Sequence, residues 1–166
     1  MAFNVFIKGM PTVVTVDDIL PFENKDGIVR PLFANIGYDG ALWGPLLEKM
    51  WAKINGNYER TAAGWQHEAL RVLSGAPSYD YLTSSYTEDQ IWTILNSADK
   101  AHYIIAAGTS GTGDHNLRSS IGLSQSHAYS VLSTHELKDQ YGEVQHRLIL
   151  LRNPWRFETY VGKWHD

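Results

Sequence analysis

The spacing of hydrophobic residues changes along this sequence from the period of a strand to that of a helix, and then back again. Between Leu42 and Asn55 apolar residues recur at i, i+3 and i+4, which is the pattern of an amphipathic helix. Pro45 is tolerated only in a first turn, so this helix should begin near Gly44 and stop at Gly56. The residues expected to contribute to its packing include Trp43, Leu47 and Trp51. A helical region with strands before and after it is typical of an α+β fold.

The flanking regions contain β-branched and aromatic runs that predict strands. The predicted strands are Phe3–Ile7, Thr12–Val16, Pro31–Ala34, His102–Ala107, Ala128–Ser133 and Val144–Leu151. A second helix is predicted over Gln66–Leu73, and the capping-box sequence Thr87-Glu88-Asp89-Gln90 predicts a third over Glu88–Ala98. The run Leu148–Leu151 is apolar without alternation, which predicts burial on both faces of a sheet.

No cysteine occurs among the 166 residues. This excludes disulfides, thiolate metal sites and a thiol nucleophile within this sequence. The formal net charge is -4 and Lys and Arg form no run, so we expect no nucleic-acid partner. Apolar runs stay short of the ~18 residues that a membrane span needs, so we expect no span.

The last two predicted strands bring a histidine and an asparagine into register. Lys138–Gly142 can turn the chain between them, and if the strands pair symmetrically about Gln140, His127 faces Asn153. Directly opposed residues share a sheet face with Cβ atoms about 5 Å apart, so the two side chains can form a hydrogen bond. The prediction depends on register, because a slip of one residue moves them to opposite faces.

Such a pair has a definite chemical use. An imidazole acts as general base toward a nucleophile and as general acid toward a leaving amine, and a side-chain amide behind it fixes its tautomer and orientation. Trp155, two residues after Asn153, is a candidate to keep water off the bond. The site needs a nucleophile to be complete. Taken as a bare spacing, the pair has an alternative interpretation, since an Asn before Pro is usually a turn residue.

The motifs around these residues resemble those of the calpain family. His127-Ala128-Tyr129-Ser130-Val131 resembles the family's catalytic-histidine motif, and Arg152-Asn153-Pro154-Trp155 resembles its catalytic-asparagine motif. Matching segments occur in the same order elsewhere in the sequence: Val16–Pro21, Leu42-Trp43, Asn55–Glu59 and Gly162–Asp166. Several motifs in order are more specific than one, so the sequence is identified as a member of this family of cysteine proteases.

The resemblance implies a papain-like cysteine protease fold that is incomplete, with a helical remnant followed by an antiparallel β lobe. Residues 1–80 would be the rear part of the cysteine-bearing lobe without its cysteine, and 81–166 the lobe that bears His127 and Asn153. The cysteine motif would lie before Met1, so the sequence looks like a fragment, or a gene product missing both flanks. The implied partners are protein substrates and the missing cysteine-lobe segment, and the implied location is intracellular and cytoplasmic.

The sequence departs from the family's pattern on both sides of the motifs. The family usually has Gly before its histidine, where the backbone contacts substrate, and here Ser126 occupies that position as a candidate cleft residue. Arg156 stands after Asn-Pro-Trp, where the family again usually has Gly.

The resemblance also implies calcium in the parent protein. Asp166 matches one acidic ligand of the family, while a second acidic position aligns with Thr159, with Glu158 beside it. Calcium favours several oxygen ligands, usually with two or more carboxylates, so we expect none bound by this chain alone.

Three functions remain open from the sequence. The first is a calcium-dependent cysteine endopeptidase core, inactive as this chain alone because it lacks the nucleophile. The second is a non-catalytic calpain homologue that acts as an interaction or scaffold protein. The third is a β-rich domain in which His127 and Asn153 merely close a hairpin. A Gly-x-Cys-Trp-like stretch upstream of Met1 would favour the first over the second.

Overall fold

The structure is a computed structural model in which residues 1–114, 120–155 and 159–164 are described. The chain divides into two compact units, Met1–Asp80 and Tyr81–Asp166. The described residues form three α-helices and antiparallel sheets, which confirms the prediction of an α+β fold. None of these helices is both long enough and apolar enough to cross a membrane.

The first unit opens with two antiparallel hairpins. Its strands are β1 (Ala2–Ile7), β2 (Met10–Thr15), β3 (Phe22–Lys25) and β4 (Ile28–Pro31), with β1 paired to β2 and β3 to β4. The second turn is formed by Asp26 and Gly27, both with positive φ, the geometry that a tight hairpin turn requires. The predicted strand Pro31–Ala34 is wrong, because this tight turn starts the returning strand at Ile28 and the pairing ends at Pro31.

Two helices complete this unit: α1 (Trp43–Asn55) and α2 (Gln66–Ser74). Leu46 and Met50 of α1 pack against strand valines to form the core, which comprises Val5, Val14, Val16, Leu46 and Met50. Leu47 packs at its edge and Trp51 is half-buried, as predicted. Trp43 is 71% exposed, so its predicted packing role is wrong. It is the first residue of α1, one turn before the positions that reach the core.

The second unit contains one helix and a three-stranded sheet. These are α3 (Glu88–Lys100), β5 (Ile105–Gly108), β6 (Ala128–Lys138) and β7 (Val144–Arg152), with the strands in the order β5-β6-β7. The capping box that begins α3 is formed as predicted, between Thr87 and Gln90. β5 begins later than predicted because the residues just after α3 still hydrogen-bond back to it, and His102 there has a φ of 57°.

The helix α3 is joined to β6 through polar side chains. The indole of Trp92 is buried and its Nε1–H donates to Glu136. The N–H and the hydroxyl of Thr134 both donate to the carboxylate of Asp99, at 2.7 and 2.8 Å. These two donors favour the charged form and hold the pKa of Asp99 below its usual value.

The hairpin β6–β7 does not have the symmetrical register that we predicted. Its pairing shifts twice, between Val131 and Ser133 and again next to Lys138, and at the open end Ser130 pairs with Arg152. Continued past the end of β7, this register places Tyr129, rather than His127, opposite Asn153. The displacement is an even number of residues, so His127 stays on the same face as Asn153, because side chains alternate with a period of two.

The predicted burial of Leu148–Leu151 on both faces is wrong. Ile149, Leu150 and Leu151 are 41%, 45% and 38% exposed. β7 is the outer strand of its sheet, paired with β6 alone among the strands that the structure describes. The apolar run therefore predicted two covered faces, whereas three of its four side chains are exposed.

Candidate active site

The backbone of His127 is held at the end of the pairing between β5 and β6. Thr109 directly follows β5, and its N–H donates to the carbonyl oxygen of His127 at 2.9 Å. The N–H of His127 donates in return to Thr109 Oγ1 at 3.0 Å. This hydroxyl also lies 2.6 Å from the carbonyl oxygen of Ser124, to which it donates. The backbone of His127 is thus held in place by the pairing of β5 with β6 and by the side chain of Thr109.

The side chains of His127 and Asn153 meet as predicted. Nε2 of His127 lies 3.0 Å from Oδ1 of Asn153, and both residues are partly buried. The same Oδ1 accepts a hydrogen bond from the N–H of Trp155 at 3.1 Å. A backbone N–H can only donate, so it identifies the oxygen of the amide and fixes which way the amide points.

The tautomer of His127 follows from this orientation. An amide oxygen is only an acceptor, so Nε2 must carry the proton that it shares with Asn153. In the neutral imidazole Nδ1 is then the unprotonated nitrogen, ready to accept a proton. Asn153 Nδ2 is buried and has no hydrogen-bond partner among the residues described, so the fixed direction of the amide comes from its oxygen alone.

Two aromatic rings contact the imidazole of His127. The ring of Trp155 is half-buried and lies 4.4 Å away between centroids, tilted by 48°. The ring of Tyr129 is 6% exposed and meets the imidazole edge-on at 4.9 Å, and its hydroxyl oxygen accepts the N–H of Ser124. Our sequence reasoning missed Tyr129. Its position two residues after His127, on the same face of β6, was the available signal.

Comparison of the sequence with known proteins identifies relatives of this chain. The calpain family cysteine protease profile matches residues 1–166. The chain belongs to the calpain family. It is 32% identical over 96% of its length to calpain-type cysteine protease DEK1 of Zea mays, and 32% identical over 99% to calpain-12 of Mus musculus. It is also 31% identical over 92% of its length to the calpain-1 catalytic subunit of Rattus norvegicus. The chain covers 7% of the first relative, 22% of the second and 21% of the third.

Ser126 of this calpain-family chain has an unusual backbone. It is exposed, with a φ of 46° in the left-handed region. Residues with a Cβ pay a steric penalty there and glycine does not, which gives a physical reason for a glycine preference at this position. The structure places Ser126 beside His127, while its predicted contact with substrate stays a prediction.

The candidate calcium ligands Glu158 and Asp166, and the departure at Arg156, lie outside the described residues. Within the described ranges, no three His, Cys, Asp or Glu side chains come together in a way that could hold a metal ion. The expectation that this chain alone binds no calcium stays a prediction.

An open pocket in the first unit contains none of the predicted site residues. Its lining includes Lys49 and Lys53 of α1 together with Tyr58. Both ammonium groups are already engaged: Lys49 with Asp17 and a carbonyl, and Lys53 with the carbonyl oxygen of Thr15.

Proposed function

We propose that this chain is part of a calpain-type cysteine endopeptidase core with a papain-like fold, in which His127 is general base and acid and Asn153 orients it. The observation that carries the proposal is the 3.0 Å contact between Nε2 and Oδ1, with the amide direction set by the N–H of Trp155. Membership of the calpain family supplies the chemistry in which such a pair takes part.

The nucleophile is a thiol from a cysteine-lobe segment outside the present sequence, which contains no cysteine. Nδ1 of His127 accepts the thiol proton, and the thiolate attacks the carbonyl carbon of the scissile peptide bond. Nδ1–H then returns the proton to the leaving amine as the C–N bond breaks and an acyl-enzyme remains. Water, deprotonated by Nδ1, then attacks the thioester carbonyl carbon, the C–S bond breaks to release the second product as a carboxylic acid, and Nδ1–H returns the proton to the departing thiolate.

Asn153 and Trp155 serve this proton transfer without taking part in it. Oδ1 of Asn153 accepts the Nε2–H in both the neutral and the charged imidazole, so the ring keeps its orientation while Nδ1 gains and loses a proton. The partly buried indole of Trp155 limits the access of water to that bond, which strengthens it. Protein substrates and an intracellular location follow for the parent protein from its family.

The test is a fluorogenic peptidase assay. This chain alone is expected to be inactive, and a protein that joins it to a cysteine-bearing segment is expected to be active. In the joined protein, His127→Ala should lose at least about a thousandfold in rate, because a catalytic unit fails when one member is removed. Asn153→Ala should lose less, since Asn orients the base and transfers no proton. His135→Ala, an exposed histidine further along β6, is the matched control and should retain activity.

Two results would overturn the proposal. Robust turnover by the isolated chain that is insensitive to thiol reagents would show a different nucleophile. An inactive joined protein with its cysteine intact would instead favour a non-catalytic homologue that acts as an interaction or scaffold protein.

A further inference from the structure

One hydroxyl group, Thr109 Oγ1, connects both ends of the short loop that leads into β6. It donates to the carbonyl oxygen of Ser124 at 2.6 Å and accepts the N–H of His127 at 3.0 Å. The carbonyl oxygen of His127 lies further from it, at 3.3 Å, and is already bonded to the N–H of Thr109. A hydroxyl has one proton to donate and two lone pairs to accept with, so the loop uses both functions of this side chain.

The position of Thr109 in the sheet explains why a side chain is needed here. Gly108 pairs with Ala128 at the end of the β5–β6 ladder, so Thr109 and His127 are the next pair outward. In a hydrogen-bonded pair of a regular antiparallel ladder each residue accepts the other's N–H on its own carbonyl oxygen, and the bond from the N–H of Thr109 to the carbonyl oxygen of His127 marks this pair as one of that kind. Here Thr109 donates normally, but the N–H of His127 goes to Oγ1. The side chain thus replaces a backbone acceptor at the point where the regular ladder ends.

The loop that this hydroxyl closes carries backbone strain. Ser126, within it, has a φ of 46°, which is unfavourable for a residue with a Cβ. Strained conformations persist only where the surrounding structure over-determines them. The hydrogen bonds of Thr109 on either side of Ser126 provide that constraint, and the next residue is His127.

We propose that Thr109 is a positioning residue for His127. Its hydroxyl holds the backbone of His127 so that Nε2 reaches Asn153 Oδ1 and Nδ1 is left as the proton acceptor. This inference depends on the proposed function in one respect only, namely that His127 is the general base. The geometric effect on the imidazole stands apart from any turnover, so it can be measured on this chain without a nucleophile.

The experiment is nuclear magnetic resonance on the full chain labelled with nitrogen-15, which reports the tautomer of His127 and the exchange of its Nε2–H proton. Thr109→Val keeps the shape and removes the hydroxyl. We expect it to convert the Nε2–H pattern to a tautomer mixture and to speed exchange of that proton roughly tenfold, as for the loss of one hydrogen bond. Thr109→Ser retains the hydroxyl and should keep the wild-type pattern. Thr109→Ala removes the same hydroxyl without added bulk, and is the second variant if the valine does not fit.

Thr134→Val is the matched control. It removes another threonine hydroxyl of the second unit, which bonds Asp99 rather than the loop. It should lower the melting temperature while leaving the His127 signals unchanged. If Thr109→Val keeps the wild-type tautomer and exchange, or if both threonine variants change them equally, the positioning role is refuted. Because no activity is read, that outcome would leave the peptidase proposal to its own assay.

Discussion

Replacement of Ser126 by glycine tests the strain next to His127. The left-handed conformation costs a residue with a Cβ roughly 1–2 kcal/mol, and Ser126 adopts it with a φ of 46°. Glycine removes that cost but makes the unfolded chain more flexible, which cancels about 0.4–1 kcal/mol of the stabilisation. The net expectation for Ser126→Gly is a gain of about 0.5–1 kcal/mol in the free energy of unfolding.

The assay is thermal and urea denaturation followed by circular dichroism. For a unit of this size the gain corresponds to a rise of roughly 2–8 °C in melting temperature. Ser130→Gly is the matched control, because Ser130 is also exposed but lies within β6, where glycine should cost about 0.5–1 kcal/mol. Equal destabilisation by both glycines would refute the reasoning, since it would mean that Ser126 stores no strain that a glycine can release.

Two further predictions concern stability. Gly122→Ala should destabilise the protein far more than Gly142→Ala. Both glycines have positive φ, but a Cβ at Gly122 would overlap the carbonyl oxygen of Thr159, while a Cβ at Gly142 would meet open space. Urea denaturation that gave the two variants equal stability would contradict this. Asp99→Asn should make the melting temperature depend less on pH in acidic solution. Because the pKa of Asp99 is lower in the folded state, the charged carboxylate stabilises the fold at pH values above its ordinary pKa, and this stabilisation is lost as the pH falls through the folded-state pKa. The melting temperature of the wild type should therefore fall more steeply below about pH 4 than that of the variant. If the melting temperatures of the wild type and the variant fell equally with pH, this prediction would be refuted.

The elements that the sequence predicted well are those with a local signal. The helix α1 ends at Asn55, just before Gly56, and α3 begins after its capping residue Thr87, because caps and i, i+4 spacing act within a few residues. The predicted start of β5 was too early, since the sequence did not reveal that backbone hydrogen bonds continue past the end of α3. Burial was the least predictable property. Trp43 and the apolar run Ile149–Leu151 of β7 are exposed because the neighbours available to cover a residue are set by distant parts of the chain.

For the candidate site, the sequence by itself determined the residue types and the motifs in which they stand: an imidazole, and an amide followed two residues later by an indole. Tertiary structure decided how they meet. Two register shifts replaced the symmetrical pairing, the hydroxyl of Thr109 entered the site without any motif to mark it, and the ring of Tyr129, although inside the histidine motif, was not predicted to contact the imidazole. The physical reason is that side-chain alternation is a property of each strand, whereas register and hydrogen-bond partners depend on chain segments that are far apart in the sequence.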